Sequence, residues 1–427
     1  MLKKLISHPN YDLLCIKTDK FKSCHIEVSF RNEIKEHDLI ERSFLTDLMS
    51  YSTLNYPTKK EWTIKREELY NLSLYGYCTR LGNIINTYFS CSFVAPKYIK
   101  EEEYLEEIVK TLMEMIFNPN VINNAFDLKS FNVVKNKMKS YISDSKEDPY
   151  MVSISNGLNT AFPNSVSRYG IIKEEDYLEE ITPDLLYTSY ENMIKNDQVT
   201  VFAIGDMDSN YLDSLIHKYF NCNIIKNNSY RMYVENNLRK KPLVKEGQSS
   251  FVQTQLLMIY NFEGLTKELR EVVPYIFNNI FGNGSLNSKL FRYLREENSL
   301  CYGVGSMNFK YDNIAIIKVS LAKDNISKAI KLIKKAVKEM QTGDFSLEEL
   351  EDAKKSATFS IKIAQNNILS TLNNYIFNYY DDFSLPEDRL KRIKSITKED
   401  IIKFAKCLKL NTIYTLNEGG SDERNNN

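Results

Sequence analysis

Apolar runs rich in β-branched and aromatic side chains predict strands at Asp12 to Ile16, His25 to Phe30, Thr87 to Ala95, Val199 to Ile204, Phe251 to Tyr260, Ile314 to Leu321 and Thr412 to Leu416. Between them, apolar positions spaced three and four apart predict helices at Asp38 to Ser50, Glu102 to Ile116, Leu128 to Ile142, Asp184 to Ile194 and Lys328 to Met340, with one long helix from Leu347 to about Phe377. The two kinds of element are mixed rather than strictly alternating. That order predicts α+β layers, not a parallel α/β sheet.

The pattern occurs twice. Phe126-Asp127-Leu128, followed by Lys135, reappears as Phe345-Ser346-Leu347, followed by Lys354. Ile181-Thr182 opens a helix that runs into the strand at Val199, and Ile396-Thr397 opens one that runs into the strand at Thr412. Both threonines suit an N-cap, Thr182 with Pro183 at the first helical position and Thr397 with Asp400 three residues on. Tyr75-Gly76 and Tyr302-Gly303 make a third pair. The duplication predicts two homologous α+β domains, each a mostly antiparallel sheet covered by helices, at 1–225 and 246–418. Asn-rich and Lys-rich sequence over 226–245 reads as a linker, and the polar stretch 419–427 as a disordered tail.

Composition narrows the function. With 427 residues, 43% of them hydrophobic, there is apolar material for two to three folded domains. Basic and acidic side chains number 56 each, and a net charge of zero argues against general nucleic-acid binding. The N-terminal residues lack an apolar signal-peptide core, and no stretch approaches the roughly 20 apolar residues of a membrane span, which predicts a cytoplasmic protein with no membrane partner. Seven scattered cysteines without a Cys-x-x-Cys read as buried free thiols. The four histidines, at 8, 25, 37 and 217, supply no pair at helical i, i+4 spacing, and no Gly-x-Ser-x-Gly is present. Heavy use of Asn, Ile, Lys and Tyr resembles low-GC bacterial coding.

The densest segment runs from Phe281 to Val304. Gly282 and Gly284 free the backbone, Asn287 or Ser288 is placed to cap, a helix runs to about Glu297, and a strand starts near Leu300. A phosphate-cradling loop is disfavoured, because the third glycine of Gly-x-Gly-x-x-Gly is missing and no Lys-Ser/Thr pair follows. On these residues alone, a turn between two helices with Arg295 and Tyr302 as solvated surface groups is the simpler reading.

The segment also resembles the second-domain signature of the insulinase-like (pitrilysin) metallopeptidases, in the short two-domain branch that includes mitochondrial processing peptidase. The similarity lies in the glycine-containing loop, the helix Ser288-Lys289-Leu290-Phe291, and Arg295 and Tyr302 seven residues apart within Leu294-Arg295-Glu296 and Leu300-Cys301-Tyr302. Asn118-Pro119, Asp148-Pro149, Ala161-Phe162-Pro163-Asn164, Ile181-Thr182 and Gly205-Asp206 resemble first-domain landmarks of that family.

The family's zinc motif, His-x-x-Glu-His, aligns with Ser43-Phe44-Leu45-Thr46-Asp47, and its third ligand falls near Tyr141. Both imidazoles and the glutamate base are therefore missing, and hydroxyls with one carboxylate do not make a tight zinc site. Ser43 and Asp47 read instead as a solvated polar stripe opposite Phe44 and Leu48.

The resemblance thus implies a non-catalytic subunit without zinc of its own. A homologous zinc-bearing partner would hold the metal, and Arg295, Tyr302, Gly282 and Gly284 would bind the peptide substrate. A guanidinium offers forked donors to a carbonyl or carboxylate, and a phenol can donate to a developing oxyanion. The alternative is a non-proteolytic peptide-binding or scaffold protein in peptide maturation or translation-factor modification. Whether two copies of this chain also pair as a homodimer is left open by the sequence.

Overall fold

The computed structural model describes residues 1–222, 230–282 and 286–419, apart from the side chain of Tyr302. Its strands are β1 (Leu2–Ser7), β2 (Tyr11–Lys17), β3 (Ser23–Glu33), β4 (Ser73–Leu81), β5 (Ile84–Val94), the short β6 (Val121–Ile122) and β7 (Ala125–Phe126), β8 (Gln198–Gly205), β9 (Leu243–Gln248), β10 (Thr254–Phe262), β11 (Cys301–Phe309), β12 (Ile314–Leu321) and β13 (Leu408–Asn417). One sheet has the order β1-β2-β8-β3-β5-β4 and the other β11-β12-β10-β13-β9. Read from β2 in the first and from β9 in the second, the two orders are the same. Each has one parallel pair, β2 with β8 and β9 with β13, and antiparallel neighbours thereafter. The duplicated sequence therefore builds the same sheet twice, and the fold is α+β with helices against each sheet.

The chain falls into two compact units. The first comprises Met1–Asp144, Tyr169–Met232 and Asn367–Ile376, and the second Ser145–Arg168, Tyr233–Asn366 and Phe377–Asn427. In the first unit the alternation of β3 sends Cys24, Ile26, Val28 and Phe30 into a core shared with Phe44 and Leu48 of helix Asp38–Met49 and with Ile108 and Leu112 of helix Tyr104–Phe117. His25, Glu27, Ser29 and Arg31 on the opposite face are buried as well.

In the second unit Leu256 and Met258 face a core with Ala329, Ile333 and Met340 of helix Ile326–Thr342 and Phe404 of helix Lys398–Cys407. The other face, with Leu257, Ile259 and Tyr414, packs on helix Pro149–Ala161, where Gly157 lies flush against the sheet. A Cβ on Gly157 would stand 3.1 Å from Leu257 Cδ1.

Both threonine caps form. Thr182 accepts from the Leu185 amide, and Thr397 makes a full capping box with Asp400. The expected single helix from Leu347 to about Phe377 is instead two, Leu347–Ala364 and Ile368–Asp381. The apolar period continues through the break. Asn367 starts the second helix by accepting from the Ser370 amide (2.9 Å).

Strands β1, β4 and β9 and helices Lys59–Glu68, Pro149–Ala161 and Ser209–Tyr219 are elements the periodicity did not predict. Of these, β9 starts inside the stretch read as a linker. Among the described residues no helix is long and apolar enough to cross a membrane.

Candidate functional site

The signature segment folds as helix, widened turn and edge strand. Helix Lys289–Phe291 starts after Ser288 and opens into a π-helical turn over Arg292–Glu296, closed by the Glu297 amide donating to Arg292 O (2.9 Å). One face of this turn is locked into the second unit. Leu290, Phe291, Tyr293 and Leu294 are buried, and so is Lys289, whose ammonium lies 3.1 Å from Glu339 Oε2 on helix Ile326–Thr342. Tyr293 donates to the same oxygen at 2.7 Å. Burial works to raise the Glu339 pKa, but the Tyr293 hydroxyl and the Lys289 ammonium outweigh it and hold the carboxyl below its ordinary 4.5.

Arg295 occupies the other face of the turn, exposed, with its guanidinium centre 5.0 Å from the Phe291 ring centroid. Ser299, in the left-handed region at φ 52°, reverses the chain, and the Ser299 and Leu300 amides donate to Arg295 O (3.0 Å) and Leu294 O (2.8 Å). The strand that follows, β11, is the outermost of its sheet. Its register jumps from Cys301 opposite Leu321 to Val304 opposite Val319, so Tyr302 and Gly303 form a β-bulge. Such bulges re-aim side chains.

Gly282 is buried. Its amide donates to Asn278 O (2.9 Å), and its carbonyl accepts from the Ser306 amide (2.6 Å) and hydroxyl (3.1 Å). A Cβ there would stand 2.4 Å from Leu290 Cδ1 and 3.2 Å from Ser306 Oγ, so glycine lets the chain at 282 pack close to both helix Lys289–Phe291 and strand β11. Gly284 and the Tyr302 side chain lie outside the described residues.

The position of the lost zinc motif is equally defined. Phe44, Leu45 and Thr46 are buried, while Ser43 and Asp47 are half-buried. Thr46 donates to Ser43 O (3.0 Å) and its carbonyl accepts from Ser50 (2.7 Å), whose oxygen in turn accepts from the Gly76 amide of β4 (2.8 Å). Helix and edge strand thus close together at Gly76, where a Cβ would meet Thr46 Cβ at 2.9 Å.

Across from Asp47, on helix Leu128–Glu147, is Lys137, with Nζ 3.0 Å from Asp47 Oδ2. An ammonium therefore neutralises the one carboxylate left at this place, and the residues there do not fit a zinc ion. Tyr141 is exposed. Asp47 is thus ion-paired rather than merely solvated, a contact with a second helix that its own helix face does not reveal.

Among the described residues no group of three or more His, Cys, Asp or Glu side chains is placed to hold a metal. His8 pairs with Asp213 (2.7 Å), His25 with Ser92 (2.7 Å) and His37 with Glu174 (2.7 Å). The rings of His8 and His217 stack at 5.3 Å, a contact the sequence spacing did not reveal.

Comparison with known proteins agrees with this fold. Residues 180–357 match the family model described as the Peptidase M16 inactive domain. Over 422 residues, 95% of this chain and 96% of the relative, the sequence is 26% identical to a Bacillus subtilis protein named probable inactive metalloprotease YmfF. Two solved structures share the fold. One is a conserved protein from Enterococcus faecalis, with a TM-score of 0.92, 23% identity and coverage of 99% of this chain and 100% of that one. The other is a peptidase M16 inactive domain from Pseudomonas fluorescens, with a TM-score of 0.77, 14% identity and coverage of 99% and 100%. With its sheet built twice and other side chains at the places of the metal ligands, this chain is similar to the insulinase-like M16 peptidases, and over residues 180–357 to their inactive domain.

Proposed function

We propose that this chain is the non-catalytic subunit of a heterodimeric zinc peptidase, supplying substrate-binding groups to a homologous partner that carries the zinc. Arg295 grips a peptide carbonyl or carboxylate, and Tyr302 donates to the oxyanion that develops when the partner's zinc-activated water attacks. The open edge of β11 offers an extended peptide backbone partners by strand addition.

The observation that carries this reading is the backbone around the pair. Arg295 sits on a π-helical turn and Tyr302 in a bulge of an outermost strand. Both irregularities forgo regular hydrogen bonding and recur at functional sites. They lie a few residues apart in a chain whose own hydrolytic ligands are gone. Seven unpaired cysteines, six of them buried, fit a reducing cytoplasmic setting.

The test is to copurify the chain from its host with any bound protein containing His-x-x-Glu-His, and to assay peptide cleavage by the pair. Arg295→Ala or Tyr302→Phe is expected to lower kcat about a hundredfold. Unchanged cleavage in both variants overturns these roles. Recovery of the chain with peptides but without a zinc-bearing homologue supports the second reading, a non-proteolytic peptide-binding scaffold, which the Asp47–Lys137 pair in place of a metal also suits.

A further inference from the structure

The second unit carries an open-sided cavity of about 430 Å3, walled in part by helix Val273–Phe281 and large enough for a small ligand. Its apolar walls include Phe262, Leu265, Met307, Phe383 and Phe404. The charged groups at its edge are unequally satisfied. Lys310 lies 2.5 Å from Asp381 Oδ2 and 4.2 Å from the Phe383 ring centroid, and Tyr233 donates to the same Asp381 oxygen at 3.0 Å. Glu271 accepts from the Ser384 amide at 3.1 Å. Arg270 differs. Its guanidinium centre stands 4.5 Å from the Tyr233 ring centroid and donates to Asn313 Oδ1, and it has no carboxylate partner among the described residues.

A half-buried guanidinium, braced on an aromatic face beside an apolar cavity, is a planar fork with donors to spare. We propose that this cavity binds an apolar side chain carrying an adjacent carboxylate, with the phenyl walls taking the side chain and Arg270 gripping the carboxylate. Two sources share that chemistry, a free apolar amino acid and the last residue of a peptide. The neutralised Lys310 sets the polarity of the wall and leaves recognition of the anion to Arg270. This site uses neither Arg295 nor Tyr302 and needs no partner subunit, so its test is independent of the function proposed above.

Calorimetry on the full chain with three probes decides the matter. The probes are L-phenylalanine, N-acetyl-L-phenylalanine as a mimic of a peptide C-terminus, and N-acetyl-L-phenylalaninamide, which lacks the carboxylate. At least one carboxylate is expected to bind at about millimolar concentration or below, and the amide at least about tenfold more weakly. Preference for the acetylated acid assigns the site to peptide ends, and preference for phenylalanine assigns it to the free amino acid. Arg270→Ala should weaken the bound acid by about tenfold or more, Arg270→Lys by less, and Leu265→Trp should fill the cavity and abolish binding while circular dichroism stays unchanged. Equal binding of acid and amide, indifference to all three substitutions, or no binding of either acid at about 10 mM overturns the proposal.

Discussion

At position 42, one residue before the remnant of the zinc motif, helix Asp38–Met49 carries a buried guanidinium that clasps Asp197 through two bonds, Nη1 to Oδ2 at 2.9 Å and Nη2 to Oδ1 at 3.2 Å. Asn32 adds a third donor to Asp197 at 3.0 Å. Removing one member of such a pair strands the other charge without water. Arg42→Ala is therefore expected to destabilise the first unit by about 3–5 kcal/mol, read as a lowered urea midpoint. At this scale the sequence was legible by subtraction. Ser43 and Asp47 declared the missing imidazoles, because metal chemistry requires particular atoms. The replacements were not legible. Which lysine faces Asp47, or which aspartate faces Arg42, is decided by packing between elements far apart in sequence, and helical periodicity carries no record of it.

Among elements, the helix from Ser288 onward shows a motif serving two ends. Lys289, Leu290 and Phe291 anchor it, and the same turn leaves Arg295 outside. Glu339 holds the anchor, and its folded pKa lies below 4.5, so its contribution is complete above that value and is lost as pH falls through the folded pKa. The difference in thermal midpoint between the native chain and Glu339→Gln should accordingly be widest near neutral pH and close in acid. A gap that stayed constant into acid would remove Glu339 from this role.

Strands buried on both faces, such as β10 and β12, were readable as apolar runs, and the Thr182 and Thr397 caps as start signals. The edge strand β4 was not read as a whole, because half-buried positions filled by Tyr75, Tyr77 and Thr79 give neither a run nor an alternation. The π-helical turn was equally silent, since one extra residue in a turn leaves the apolar period almost unchanged.

Across the whole molecule, neither half of the duplicated sequence contains a complete unit. Residues 145–168 count with the second unit and 367–376 with the first. A fragment starting at Tyr233 would lack helix Pro149–Ala161 and leave Leu257, Ile259, Ile316 and Tyr414 without their cover. It is expected to aggregate or to melt without cooperativity, and to recover a sharp transition when expressed together with 1–232. A soluble fragment with a sharp transition of its own would refute this. The repeat in the sequence foretold two similar sheets. It did not foretell the exchange, because a helix reads the same whichever sheet receives it.

The exchange bears on how variants are interpreted. Gly157 is encoded in the first half of the gene, yet its neighbours Leu257, Ile259 and Tyr414 are all encoded in the second. Any mutational map that sorts substitutions by their distance along the reading frame will misfile those in Pro149–Ala161, crediting damage in one unit to the other.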